Sequence, residues 1–286
     1  MNCPNTGYAP GIHRNIDLEE YFEIDAISQS GLTHLERSPA HYQAYLAQEK
    51  ETEALTLGSA LHTLVLQPET FAAKFSVCPN CDRRTKGGKE LYEAHLDQLG
   101  GRKTIKVDAY ESARQMGTAI LNHPDAKELI EKATSYELTA LWEYRPSGCD
   151  APAVLCKGRA DIVRDHATNG VMTDIKTTRD ASLAGFVKAI ANYRYHGQAS
   201  WYQDGFALNG KHYPHYCIIA VENVVPYAVN VFRICEDALA EGGKRNMELV
   251  DQYARCKWSN EWPGYPLGIK DISIPQWAFK QEVEHE

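Results

Sequence analysis

Between residues 135 and 257 the hydrophobic period of the chain changes in a fixed order, and that order limits the fold more than any other feature. "SYELTALWEY", "AVLCKGRADIV" and "GVMTDIKTT" alternate as strands do. "SLAGFVKAIANY" and "HGQASWYQDGFALNG" have helical spacing, and "HYCIIAVEN" and "YAVNVFRI" return to strand. A last helix covers roughly 236–257. The order β-β-β-α-(α)-β-β predicts one α/β domain with a central mixed sheet flanked by helices.

The part before residue 134 reads as helical. Ser38-Pro39 is a helix start, an N-cap followed by proline at the first helical position. "LTLGSALHTLVLQPE" carries Leu57, Leu61, Leu64 and Val65 at helical spacing and stops before Pro68. Further helices fit 89–99 and 108–121, with a short one after His123-Pro124. The tail has five Pro or Gly between Pro263 and Pro275 and reads as an irregular arm. The expected organisation is a single domain over 1–286, with a mainly helical front section (1–133), a catalytic α/β core (134–260) and an irregular C-terminal arm (261–286).

Charges sit inside the strands of this core, where burial makes them costly. Asp174 and Lys176 fall on one face of their strand, with side chains about 6–7 Å apart. Asp161 lies on the preceding strand. If the two strands pair as a hairpin, any register that sets Asp161 opposite an even-numbered residue puts all three groups on one face. A tight Asn169-Gly170 turn would set Asp165 opposite Asp174 and leave Asp161 too far along, so a wider loop over 165–170 is expected despite the Asn-Gly signal. Two carboxylates on adjacent strands offer hard oxygen ligands for Mg²⁺ or Mn²⁺. A lysine beside them can hold a nucleophilic water or balance charge on a phosphate. An Asp–Lys pair on a surface β-ladder is the bland account, and D-x-K alone has little specificity. "GRAD" and "DIKTT" at a hairpin-length gap are much more specific.

Composition excludes little. Of the 286 residues, 43% are hydrophobic and 24% charged, as in ordinary globular chains. No stretch is apolar for long enough to span a bilayer, and "MNCPNTGYAPGIHRNIDLEEYF" lacks the basic and apolar regions of a signal peptide. A cytoplasmic protein with mostly reduced thiols is expected from its eight scattered cysteines. Only Cys78 and Cys81, in "CPNC", have metal-ligand spacing. No second C-x-x-C or H-x-x-x-H follows, so a turn around Pro79-Asn80 is the preferred reading. The net charge of −8 argues weakly against a nucleic-acid coat. Over 82–106, however, seven Lys or Arg stand against four Asp or Glu. A solvated loop and helix face accounts for that stretch by itself, although an acidic protein can hold DNA through a basic channel.

Taken with "ISQSGLTHLERSPAHYQAYL", "LGSALHTLVLQPE", "DRRTKGGKELYEAHL" and "QASWYQDGF", the strand motifs make nearly the whole chain resemble the PD-(D/E)xK nuclease superfamily. In particular it is similar to the RecE-type exodeoxyribonuclease VIII branch found in prophages. The resemblance implies a restriction-endonuclease-like core. It makes Asp161 and Asp174 the metal carboxylates, the Ile175 carbonyl a further ligand and Lys176 the catalytic lysine. His62 would join the metal site, and Gln198 and Tyr202 match a Q-x-x-x-Y element. At i and i+4 those two share a helix face, able to orient the lysine or a phosphate. Without the resemblance, His62 reads as a satisfied neighbour of the core, and Gln198 with Tyr202 as a polar helix edge. An acidic residue on the first core strand is expected at Glu137, with Glu143 as the alternative.

Ser28 and Ser30 precede a helix, where hydroxyls and free N–H groups can grip a terminal phosphate or simply cap the helix. The function implied is a Mg²⁺-dependent exonuclease, with Mn²⁺ able to substitute, acting on double-stranded DNA ends. It would degrade one strand 5′→3′ and leave a single strand for an annealing protein. A homo-oligomer, such as a ring tetramer, is implied by the resemblance as well. Arg83, Arg84, Lys86 and Lys89, with Lys103 and Lys106, are the candidate DNA path. The alternatives are a single-strand or structure-specific endonuclease and a catalytically silent DNA-binding module.

Overall fold

A computed structural model describes residues 7–48, 52–148, 150–275 and 279. Its front section contains β1 (Gly11–His13), α1 (Leu18–Glu23), β2 (Ile27–Ser28), α2 (Gln29–Arg37), α3 (Pro39–Ala47), α4 (Glu53–Leu66) and α5 (Phe71–Lys74). It continues through β3 (Phe75–Cys78), α6 (Lys86–Asp97), β4 (Lys103–Lys106), α7 (Val107–Asn122) and α8 (Pro124–Glu131). Helix starts follow local chemistry. Ser38 Oγ accepts from His41 N with Pro39 next in the chain, and Thr85 Oγ1 accepts from Gly88 N. The Thr85 cap explains why α6 begins three residues before the sequence expectation. Two-residue and three-residue strands such as β2 and β1 carry no readable period, so the sequence did not show them.

The core follows as β5 (Ser135–Tyr144), β6 (Val154–Arg164), β7 (Val171–Thr178), α9 (Leu183–Asn192), α10 (Tyr195–Leu208), β8 (His215–Glu222), β9 (Val229–Arg233) and α11 (Glu236–Ser259). This is the expected element order, and the sheet is mixed. Its strands run β1-β5-β6-β7-β8-β9, with β7 and β8 parallel and the other pairs of that path antiparallel. The helices α9 and α10 carry the chain across from β7 to β8, the long connection a parallel pair requires.

Apolar layers cover both faces of the sheet. Leu138, Ala140, Met172, Ile218 and Ala220 pack with Ala199 and Phe206 of α10 and Leu249 and Val250 of α11. Ile162, Ile175, Ile219 and Val221 pack instead with Leu61 of α4 and Met116 and Ile120 of α7. Each Leu, Ile, Val, Met or Phe among them, fully buried, contributes about 1.5–3 kcal/mol, which makes these layers the main stabilising force. Alternation along β7 and β8 sends neighbouring residues to opposite layers.

The sheet is irregular at one place. β6 and β7 pair only over Ile162↔Thr173, Val163↔Met172 and Arg164↔Val171, after which they splay. The loop between them therefore covers 165–170, as the register argument required. Further back, β6 is joined by β2, with Ile27↔Cys156 and Ser28↔Lys157 in parallel. The strand thus changes partner along its length, and a fork opens between β6 and β7. Beside it, the β5–β6 ladder runs Tyr136↔Ile162 and then Leu138↔Ala160, skipping Glu137. Glu137 has φ 50°, a left-handed conformation rare for a non-glycine residue.

The irregularity corrects one expectation. Strict alternation would set Asp161, Asp174 and Lys176 on one flat face. Ala160 packs in the α10–α11 layer, whereas Ile162 packs in the α4–α7 layer, so alternation breaks at Asp161. The physical reason is the splay, which removes the ladder that enforces alternation.

The arm has no regular structure over 260–275 and is tied down where Ala40 N donates to the Pro263 carbonyl and Arg37 Nε to the Tyr265 hydroxyl. The remainder of the arm except 279, and Cys3 and Cys149, lie outside the described residues. Among the described residues no helix is long and apolar enough to cross a membrane.

Candidate metal centre

The fork collects the charged residues that the sequence placed among the strands. From α4, which buries Ala60, Leu61, Val65 and Leu66, His62 reaches β7 at the fork. Its Nε2 lies 3.0 Å from the Ile175 carbonyl. A carbonyl only accepts, so this hydrogen bond requires a proton on Nε2, and Nδ1 is the ring nitrogen turned to the fork. Nδ1 is 3.5 Å from Asp161 Oδ2 and 4.0 Å from Glu137 Oε1. Ligand atoms of His62, Glu137 and Asp161 all lie within 4.8 Å of one another, the single such His/Cys/Asp/Glu group among the described residues.

Asp161 is buried, and its Oδ2 accepts from Ile175 N at 2.9 Å. The side chain takes a backbone donor that the splayed ladder leaves unpaired. Burial pushes its pKa up to about 7, with Asp174 adding to the rise and His62 opposing it. For His62, burial disfavours the cation, but Asp161, Glu137 and Asp174 outweigh it and the net shift is upward.

Asp174 and Lys176 occupy the other side of the fork. Asp174 Oδ1 accepts from Gln198 Nε2 at 2.8 Å, and Lys176 Nζ lies 2.6 Å from Asp174 Oδ2. Burial lowers the pKa of Lys176, but the attraction of Asp174 and Asp161 exceeds that and raises it overall. The Tyr195 ring stands 5.1 Å from the ammonium. Asp174 is outside the group of three, because its carboxylate is turned to α10 and to the lysine. The Gln198 contact shows that the helix orients Asp174 rather than Lys176. Tyr202, one turn on, packs against Gly158, where a Cβ would sit 2.8 Å from its ring. Burial raises the Tyr202 pKa well above the usual phenol value.

Donor chemistry at the fork fits a divalent cation. Asp174 Oδ2 is buried without an aligned hydrogen bond, despite its ion pair. Ligands about 2.1 Å from a shared Mg²⁺ lie at most about 4.2 Å apart. The 4.8 Å group needs only a slight contraction to meet that limit. Carboxylate oxygens suit Mg²⁺, Ca²⁺ or Mn²⁺ and an imidazole suits Zn²⁺, Fe²⁺ or Ni²⁺, so the mixed set fits a divalent cation without selecting one. A histidine that donates its second N–H to a carbonyl has the orientation metal ligands use. A cleft of about 270 Å³ opens beside the group, lined by His62, Glu137, Arg159, Lys74 and Lys103 among others.

The remaining candidates lie elsewhere. Glu143 is exposed, opposite Leu155, so Glu137 is the acid that reaches the fork. Ser28 caps α2 by accepting from Gly31 N, and Ser30 is exposed on that helix. Arg84 bonds Asp82 within its own loop, Lys86 pairs with Glu90, and Arg83 stacks on Tyr92. Lys89 is exposed and, like these, is not part of the cleft lining. Of the wider basic stretch, Lys106 pairs with Glu53, whereas Lys103 reaches Glu19 and lines the cleft. Cys78 is buried and Cys81 half-buried, with no third metal-binding group beside them among the described residues. Two residues at the fork escaped sequence reasoning. Tyr195 carried no signal, whereas Arg159 stands two residues before Asp161 in the "GRAD" motif.

Residues 28–270 match the family described as a PDDEXK-like domain of unknown function (DUF3799). The chain belongs to this family. Among solved structures it is similar to one from Eubacterium rectale described as a "putative exonuclease". The TM-score is 0.58 at 11% identity, covering 93% of this chain and 99% of that one. At that identity the likeness is one of fold. A second structure, SSO0001, has a TM-score of 0.30 at 15% identity over 76% of this chain and 84% of that one, and carries no argument. No curated protein sequence matches. The PDDEXK-like assignment bears out the restriction-endonuclease-like mixed α/β fold and supports a nuclease of a generally metal-dependent superfamily. It reaches the superfamily and does not single out the RecE-type branch.

Proposed function

We propose that this PDDEXK-like chain is a Mg²⁺-dependent DNA exonuclease, able to use Mn²⁺, that degrades one strand of linear duplex DNA 5′→3′. The observation that carries the reading is the convergence of His62, Glu137, Asp161, Asp174 and Lys176 on one fork. In this reading His62 Nδ1, Glu137, Asp161 and Asp174 would hold the cation, while the Ile175 carbonyl, expected as a further ligand, accepts from His62 Nε2 and orients the imidazole instead. When bound, it lowers the pKa of water and draws charge from the scissile phosphate. Gln198 fixes Asp174 Oδ1, leaving Oδ2 for the cation or for Lys176. The Lys176 ammonium, held between Asp174 and the Tyr195 ring, supplies positive charge where negative charge builds on the phosphate. Asp161 must give up its proton to act, which its raised pKa places near neutrality.

Exonucleolytic action is supported by the ordered RecE-like motifs and by the description of the Eubacterium rectale neighbour. The same motifs support a single nuclease domain, a single-strand annealing partner and a ring tetramer, and a cytoplasmic setting is proposed with them. Ser28, Ser30, Arg83, Arg84, Lys86 and Lys89 are proposed to follow the DNA backbone. The test is a time course on linear and circular duplexes in Mg²⁺, Mn²⁺ or EDTA, with 5′ and 3′ ends labelled separately. Early release of 5′ label from linear DNA, with circles intact and EDTA inhibitory, is expected. Cut circles would establish an endonuclease instead, and no cleavage with either metal would leave a DNA-binding module.

A further inference from the structure

We infer that Arg159 is a positioning residue that presents Glu137 to the metal centre through a single oxygen. The inference rests on the proposed metal centre and adds to it the device that keeps Glu137 in place. Glu137 sits in mid-strand with φ 50° and has dropped out of the β5–β6 ladder. Such a backbone persists only where surrounding contacts over-determine it. The side chain supplies those contacts. Oε2 accepts from Arg159 Nε at 2.6 Å, while Oε1 faces His62 Nδ1.

Arg159 is itself fixed. It pairs with Thr139, so it reaches Glu137 across the strand diagonal, within range of a long side chain. Its Nη1 donates to the Ile16 carbonyl, and the guanidinium lies 6.0 Å from the Tyr21 ring. Two donors in a planar fork thus span a carboxylate and a main-chain oxygen. The arrangement divides the work of the carboxylate. One oxygen is neutralised by the guanidinium, and the other is left to a cation. It also offsets the negative charge of Glu137. With only 11% of its side chain exposed, Arg159 is poorly placed to grip a passing phosphate.

The test measures Mn²⁺ binding to the full chain by calorimetry, without DNA, for wild type, Arg159→Gln, Glu137→Gln, the double variant and Arg159→Lys. Thermal melts check folding. Arg159→Gln is expected to weaken Mn²⁺ about 10–100-fold. Arg159→Lys, which keeps charge and loses the fork, should fall between it and wild type, and it carries the test if Arg159→Gln fails to fold. The double variant should bind no worse than Glu137→Gln, because Arg159 acts through Glu137. Additive losses, unchanged Mn²⁺ affinity with weakened DNA binding, or a wild type that binds no Mn²⁺ would each overturn the inference. Wild type that binds Mn²⁺ but cuts no DNA would sink the nuclease reading and leave this one standing.

Discussion

The two charged regions singled out in the sequence behave oppositely. Asp161 and Asp174 among the strands are buried, Lys176 beside them is half-buried, and the set is joined across more than a hundred residues of chain by His62 and Ile175. The basic residues at 83–89 are exposed, and those with partners find them within the same short segment, 82–92. A charge inside a β-prone run has to be compensated where it is buried, so the run itself hints at a site. In a loop, water provides that compensation, and the sequence carries no comparable demand.

The comparison breaks first if Asp174 is dispensable. Asp174→Ala should lower metal-dependent cleavage about 10³-fold or more, since it removes a carboxylate from the site of charge stabilisation. Circular dichroism should remain that of the folded protein. Cleavage within tenfold of wild type would show that the fork is not the centre. Gln198→Ala, which frees Asp174 Oδ1 without removing charge, should weaken Mn²⁺ binding about 10–100-fold by calorimetry. No change would show that Lys176 alone orients the carboxylate.

A smaller effect concerns pH. Asp161 has a folded pKa of about 7, well above its ordinary 3.8, so the folded chain holds this proton more tightly than the unfolded one. Its contribution to stability therefore falls as pH rises from about 4 to about 7 and is level above that. His62, raised as well, adds stability below its ordinary pKa of 6.5 that is lost as pH passes its folded value. Metal-free Asp161→Asn should be more stable than wild type above pH 7 by a few kcal/mol at most, and equal below pH 4. Thermal melts across that range read it. Mn²⁺ should reverse the order above pH 7 by stabilising wild type alone.

The smallest expected effect lies in the basic segment. Replacing Arg83 and Arg84 together by Ala should flatten the log–log salt dependence of DNA binding by about 0.9 per lost phosphate contact. Cleavage at saturating DNA should survive. An unchanged slope would assign both residues to solvated surface and sharpen the contrast with the fork.

Much of the fold was legible because it is written in periods. β5 to β9 and α9 to α11 lie where the alternation and the helical spacing put them, and the 165–170 loop followed from register alone. Asp161, Asp174, Lys176 and Gln198 could be named because charge and motif fell at fixed spacings within those elements. Tertiary structure decided the rest. It chose Glu137 over Glu143, turned His62 Nδ1 to the fork and Gln198 toward Asp174, and brought Arg159 to Glu137. Each depends on how β6 leaves β7 and accepts β2, a change of partner set by the packing of distant segments. Periodicity records which face of an element is apolar, and it holds no information about where two strands part.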